Sequence, residues 1–266
     1  MNSLRINLIG SLLVVTVLLL PISRAFGLCV NQAGGGCLTT IQAAVNSSNS
    51  GDTITVAPGI YTGTVTIPAN KTLTINGMGP GITEMNGNFQ GNVLLVGKSA
   101  KLALSNLSIK FGGQTVLQGA GIFAAGVTML SVTDVLFEAN TVGASGGTAQ
   151  GGAIFFTGVP TGGTLSIDSC EFTFNSAAGM NGFGGAIYAG GANVSITRST
   201  FDSNSASLEG GAIYFVGNGK KLKKKPKRGP SGRASAKVLT LVDSTLWGNF
   251  AGNAVAGFST PRAWLF

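Results

Sequence analysis

One phrase recurs along this 266-residue chain and restricts its fold more than any other feature. "FEANTVGASGGTAQGGAIFF" begins at Phe137, "FTFNSAAGMNGFGGAIYAGG" at Phe172 and "FDSNSASLEGGAIYF" at Phe201. Each copy has an aromatic residue, an asparagine three places on, and then Gly-Gly-Ala-Ile. Self-similarity at such a period marks stacked supersecondary units.

Five segments align without gaps: "LALSNLSI" from Leu102, "LSVTDVLF" from Leu130, "LSIDSCEF" from Leu165, "VSITRSTF" from Val194 and "LTLVDSTL" from Leu239. With the first residue counted as position zero, positions zero and two are apolar in all five. Position seven is Ile109, Phe137, Phe172, Phe201 and Leu246, and position ten is Gly112, Asn140, Asn175, Asn204 and Asn249. Alternation of period two predicts strands with one buried face. Positions three and four, polar in every segment except at Val242, predict a bend, after which position seven points inward again. A second strand accompanies each segment: "GAGIFAAG" at Gly119, "GGAIFFTG" at Gly151, "GGAIYAGG" at Gly184 and "GGAIYFVG" at Gly210. Two or three short strands per repeat predict an all-β solenoid, each turn lying on the last about 4.8 Å away. The position-seven aromatics then stack in the core. The Asn residues form an amide ladder at a corner, where Asn tolerates left-handed backbone, and the Gly pair permits a tight turn.

The chain before Leu102 fits the same coil. "TTIQAAVNSS" predicts a short amphipathic helix, with Thr39 or Thr40 at its N-cap, that covers the open end of the solenoid. "DTITVAPGIY", "TGTVTIPA" and "KTLTINGMG" read as three short strands.

Composition excludes other classes. Gly numbers 42 without a Gly-X-Y period, so collagen is out. With 10% charged and 44% hydrophobic residues, the chain is too apolar for a disordered protein. Residues 1–27 have the layout of a cleaved secretory signal: Arg5, the apolar core Leu8 to Leu20, Pro21, and small residues at Ser23, Ala25 and Gly27. That core is shorter than the roughly 20 residues that span a bilayer, and no later segment is a transmembrane helix candidate. The expected domain is therefore 28–266. After export, Cys29 and Cys37 are the candidate pair to close a small N-terminal loop, leaving Cys170 as a buried thiol. The chain has no His, which removes imidazole mechanisms and argues against a metal site at Cys29 and Cys37; no cofactor or resident metal is expected.

The formal net charge of +8 is concentrated. Lys220, Lys221, Lys223, Lys224, Lys225, Lys227, Arg228, Arg233 and Lys237 crowd one insertion at 219–237, and the rest holds eight basic residues against nine acidic. This insertion has no apolar period and is expected to be disordered. It reads as a site for a polyanion such as an acidic polysaccharide or lipid head groups, without specific nucleic-acid recognition, or as a solvated insertion. An import-signal reading conflicts with the leader. The sequons at Asn46, Asn70, Asn106 and Asn193 matter only in a eukaryotic host.

These residues carry a resemblance. From Ile41 to Gly79 the chain resembles the first coils of the pectin-lyase-like right-handed parallel β-helix superfamily. The paired Phe-x-x-Asn and Gly-Gly-Ala-Ile phrases resemble repeats of the polymorphic outer membrane proteins. The resemblance implies a single-stranded right-handed parallel β-helix with a short capping helix, located at the cell surface, outer membrane or outside the cell. It implies two functions: a non-enzymatic adhesin-like or structural module, or a pectin-type polysaccharide lyase or hydrolase acting on the outer face. For the second, position four supplies weak catalytic candidates, Asp134, Arg198 and Asp243, with the acids for calcium and Arg198 as base. The competing reading is a surface ion pair between Arg198 and Asp243 beside an isolated acid.

Overall fold

The structure is a computed structural model that describes residues 28–113, 115–143, 147–217, 237–252 and 258–259. Residues 1–27, expected to be a leader, and the basic residues Lys220 to Arg233 lie outside the described residues. The chain winds as a right-handed parallel β-helix in which every described strand pairs in parallel with its counterparts one coil away. One sheet runs Leu28–Val30, Thr53–Val56, Thr72–Asn76, Lys101–Lys110, Met129–Glu138, Gly163–Asp168, Ala192–Thr197 and Leu239–Val242. Past a bend it continues in a second leg that includes Glu171–Thr173, Thr200–Asp202 and Thr245–Trp247. A short third sheet stacks Thr141–Val142, Ser176–Ala177, Ser205–Ala206 and Phe250–Ala251. A fourth stacks Val65–Ile67, Leu94–Val96, Ile122–Val127, Ile154–Gly158, Ile187–Gly190, Ile213–Val216 and Phe258–Ser259.

The gapless alignment is the register of stacking. Leu102, Leu130, Leu165, Val194 and Leu239 pair in one column, and Ile109, Phe137, Phe172, Phe201 and Leu246 in another. Phe137, Phe172 and Phe201 are fully buried, with ring centroids 4.7 and 4.6 Å apart and nearly parallel planes. Centroids this close to the strand spacing mean that each ring stacks on the one in the neighbouring coil.

The asparagines form the second internal column. The Nδ2 of Asn140 donates to Oδ1 of Asn175 (3.0 Å), Asn175 to Asn204 (2.9 Å) and Asn204 to Asn249 (3.0 Å). Each Oδ1 also accepts the backbone N–H of the preceding Asn, and each Nδ2 also donates to a carbonyl at position seven of the preceding coil. Asn175 and Asn204 thus make four bonds each in complete burial. The ladder starts at Gly112, whose N–H donates to Asn140 Oδ1.

The left-handed geometry expected at the asparagines lies elsewhere. It falls one residue earlier, at Phe111, Ala139, Phe174, Ser203 and Gly248, with φ between 53° and 62°. It falls again at position four, where Asn106, Asp134, Ser169, Arg198 and Asp243 have φ between 48° and 55°. The coil needs two sharp corners around the position-seven residue. The asparagines supply amides to fill one of them, while the rotation happens next door. The first Gly of each Gly-Gly pair is a true conformational requirement. Gly151 has φ +64°, and a Cβ there would lie 2.0 Å from the Ile154 carbonyl oxygen.

A third column sits at position five, just inside the bend. Leu107 and Val135 give way to Cys170, Ser199 and Ser244, whose thiol or hydroxyl donates to the carbonyl two residues back. The N–H groups of Cys170 and Ser199 donate to the next hydroxyl along, at 3.1 Å each. Cys170 is therefore a core residue, and burial pushes its thiol up to about 12.

The N-terminal end is closed by dedicated groups. The helix Ile41–Ser47 buries Ile41, Ala44 and Val45, and the Thr40 hydroxyl accepts the Ala43 N–H as N-cap. Gln42 treats the strand edge as a partner strand would: its Oε1 accepts the Thr66 N–H (2.6 Å) and its Nε2 donates to the Thr66 carbonyl (3.3 Å). Lys71 Nζ reaches the carbonyls of Val45 and Ser48 at 2.8 Å, placing a cation at the negative end of the helix dipole. The Cys29–Cys37 disulfide ties down the first strand. "DTITVAPGIY" forms two strands, Thr53–Val56 and Gly59–Thr62, where the sequence suggested one. Pro58 lies between them, and its fixed φ and missing N–H interrupt the ladder there.

Candidate functional site

With the inward columns committed to packing, any recognition chemistry rests on outward positions. The position-four column is the first of these. Its residues share the left-handed bend, where Asn and Asp are the side chains best tolerated after Gly. Asn106, Asp134 and Asp243 thus have a conformational reason to stand there.

The structure corrects the pairing expected of Arg198. Its guanidinium engages Asp168, at position three of the preceding coil, and its Nε donates to Ser169 Oγ at 3.3 Å. The Thr197 hydroxyl donates to the other Asp168 oxygen at 2.5 Å, fixing the carboxylate beneath the guanidinium. Asp134 and Asp243 make no ion pair with Arg198 among the described residues. The Thr197 hydroxyl bond, followed by the Arg198 charge, holds the Asp168 carboxyl below the usual carboxylate range. That direction is wrong for a proton donor near neutrality. The three candidates therefore do not assemble into an acid–base set around one point.

The second leg carries another ion-pair string. Lys110 Nζ lies 2.8 Å from Glu138 and 3.7 Å from Glu84, bridging carboxylates on the coils either side. Among the described residues no cluster of three or more acidic or Cys side chains could hold a metal ion.

The most regular outward feature is aromatic and was not picked out in the sequence reading. Phe123, Phe155, Tyr188 and Tyr214 stack on the outside of the fourth sheet, with centroids 5.4, 5.2 and 5.5 Å apart. Phe183 packs at a tilt on Tyr214. Beside them the Gln118 amide donates to Gln150 at 2.6 Å. Burial raises the pKa of Tyr188, opposed by a bond with Gln150, and raises that of Tyr214 with help from the charge of Glu209. The signal was present in the repeat itself, since each residue follows the Ile of the second strand. The planes lie within 22° of parallel, so the rings spend their faces on one another and present edges and phenol oxygens outward.

The basic residues Lys220, Lys221, Lys223, Lys224, Lys225, Lys227 and Arg228 lie outside the described residues, but both flanks are described. The chain leaves after Ile213–Val216 of the fourth sheet and returns at Lys237, before Leu239–Val242 of the first. A Cβ built on Gly217 would lie 3.9 Å from the Lys237 carbonyl oxygen, so the two ends meet. Hence the insertion hangs from one corner and leaves the register between Val194 and Leu239 intact.

No protein-family model matches the chain. A curated relative from Escherichia coli (strain K12), named "Probable autotransporter YfaL", is 28% identical over 133 residues. That match takes in 47% of this chain but only 10% of the relative, so the chain spans about a tenth of its length. Among solved structures, a pectin methylesterase in complex with a hexasaccharide aligns over 83% of this chain and 66% of its own, at 13% identity and a TM-score of 0.40. A second pectin methylesterase complex aligns over 71% and 77%, at 10% identity and a TM-score of 0.35.

Proposed function

We propose that the chain is a secreted or cell-surface β-helix that works as a non-enzymatic binding module, taking acidic polysaccharide at the cell surface through its basic insertion. The observation that carries this reading is the concentration of charge. Nine of the 17 basic residues fall at 219–237, where no acidic residue stands, on a body that otherwise has slightly more acid than base. A like-signed cluster on one corner attracts a polyanion and costs the scaffold nothing in register. The leader at 1–27 and the name of the curated relative support export. Arg198 is occupied by Asp168, away from Asp134 and Asp243, which supports binding over turnover.

Incubating the exported chain with pectins and related acidic glycans, with and without calcium, tests this. The expected result is retention of glycan without cleavage, unchanged in Asp243→Ala. Turnover that is lost in Asp243→Ala would replace the reading with a lyase or hydrolase acting on the outer face.

A further inference from the structure

The corner just before the asparagines holds side chains that its geometry does not ask for. Phe111, Ala139, Phe174, Ser203 and Gly248 all stand there with φ between 53° and 62°, so Ala, Ser and Gly make the same turn without a ring. Left-handed backbone is an outlier for a bulky side chain, and such strain gathers at sites with a task. Phe174 gains little packing to offset it. It is 61% exposed and stacks on no other ring among the described residues. Phe89, also left-handed at φ 55° and 45% exposed, leans on Phe111 with centroids 5.2 Å apart. Backbone bonds carry the corner from coil to coil, Phe111 N–H to the Glu138 carbonyl and Ala139 N–H to that of Thr173. The corner therefore presents two aromatic stations two coils apart, about 10 Å, with Ala139 between them.

Carboxylates border the Phe174 station. Glu138 and Asp202 lie opposite Thr173 on the coils either side, and Thr173 immediately precedes Phe174. Glu171 is exposed in the same short strand as Thr173. Lys110 bridges Glu138 and Glu84, on the side away from Asp202. Arg198, earlier in the Asp202 coil, is held by Asp168. Glu171 and Asp202 form no ion pair among the described residues.

We infer that this corner is a docking site for a basic segment of a partner polypeptide, with a Lys or Arg side chain laid over Phe174. The ring face attracts a cation lying within about 6 Å of its centroid. The apolar stem of the side chain covers the ring, and Glu138, Glu171 and Asp202 receive the charged head. The sign of the border selects this occupant. An acidic glycan or an anionic membrane is repelled by it. A metal ion has no use for the ring, and a neutral sugar leaves the carboxylate charge unanswered. The Phe89–Phe111 station lengthens the surface for an apolar neighbour in the same segment, which favours a peptide over a small ammonium ion. The site lies past the second leg, whereas the basic insertion leaves the fourth sheet and returns to the first. This inference therefore stands independently of the glycan reading.

Titrating residues 28–266 with pentalysine, followed by amide NMR at low and high salt, tests it. The expected result is saturable shifts centred on Glu138, Phe174 and Asp202 that weaken with salt. A pentapeptide of acetyl-lysine keeps the stems, loses the charge and should not bind. Phe174→Ser copies the residue that Ser203 places in the next coil. It should leave the circular dichroism spectrum unchanged and weaken pentalysine binding about two- to fivefold. Glu171→Gln with Asp202→Asn should weaken it further and flatten its salt dependence. Should Phe174→Ser fail to fold, the shift map of the unaltered chain decides. Absence of saturable binding overturns the inference. So do shifts centred elsewhere, an affinity indifferent to both variants, equal binding of the acetylated peptide, or a neutral oligosaccharide that occupies Phe174 where pentalysine does not.

Discussion

Replacing Asn175 by Ala removes the central rung of the ladder. Four hydrogen bonds go: Nδ2 to the Phe137 carbonyl and to Asn204 Oδ1, and Oδ1 from the N–H and Nδ2 of Asn140. Asn204 Oδ1 keeps the Asn175 backbone N–H, and Asn140 Nδ2 keeps the Ile109 carbonyl. What remains is two donors on Asn140 without acceptors in a site with no solvent access. At about 1–3 kcal/mol for each orphaned buried group, the loss is roughly 2–6 kcal/mol. A domain stable by about 5–15 kcal/mol feels that strongly. Asn249→Ala is the internal control. It loses three bonds at the end of the ladder, where the residue is 9% exposed and water can substitute, so its cost is about 1–2 kcal/mol. Urea titrations followed by far-ultraviolet circular dichroism give both values. Amide exchange gives a local readout, since the Asn140 N–H loses its acceptor and should exchange faster in Asn175→Ala. Equal costs at the two positions, or a cost within about 0.5 kcal/mol of zero at Asn175, would refute the argument that burial sets the value of each rung.

Other outcomes follow from particular contacts. Cys170, with its thiol at about 12 and its side chain in the core, should stay silent to a thiol reagent at neutral pH in the native protein and react on unfolding. Reaction at the rate of a free cysteine contradicts that. Changing Cys29 and Cys37 both to Ser opens a loop of sequence separation eight and should cost about 2.5 kcal/mol by chain entropy, read from the same urea titrations. Asp168 has a folded-state pKa below its unfolded value, so its contribution is present above the ordinary Asp value and is lost as pH falls through the folded pKa. A carboxyl titration by NMR should show Thr197→Val raising that pKa more than Arg198→Gln does, because the hydroxyl bond is the larger cause.

Much of the scaffold was legible because in-register stacking writes one side-chain type into each column. Phe137, Phe172 and Phe201, and Asn140, Asn175, Asn204 and Asn249, repeat since each is the next one's packing or hydrogen-bonding partner. Where a column's role is conformational alone, the side chains differ and the signal disappears. The left-handed corner before the asparagines holds Phe, Ala, Phe, Ser and Gly, with no shared chemistry to read. Position four kept a partial signal, Asn and Asp at three of five places, which resembled a catalytic column for reasons of backbone geometry. Arg198 pairs backward with Asp168 because Thr197 anchors that carboxylate, a contact between coils that spacing along one strand does not encode. The aromatic column from Phe123 to Tyr214 was legible in principle, one place after each Ile.

The central functional claim is that a charged corner on an architectural coil makes this chain a polyanion-binding module. The most direct measurement is the affinity for a soluble acidic polysaccharide across a salt series, for residues 28–266 and for the same chain lacking Gly219 to Lys237. The account predicts that affinity falls steeply with salt in the intact chain. In the deletion it should become weak and nearly independent of salt, with the circular dichroism spectrum unchanged. Equal affinity and equal salt dependence in the two proteins would contradict it.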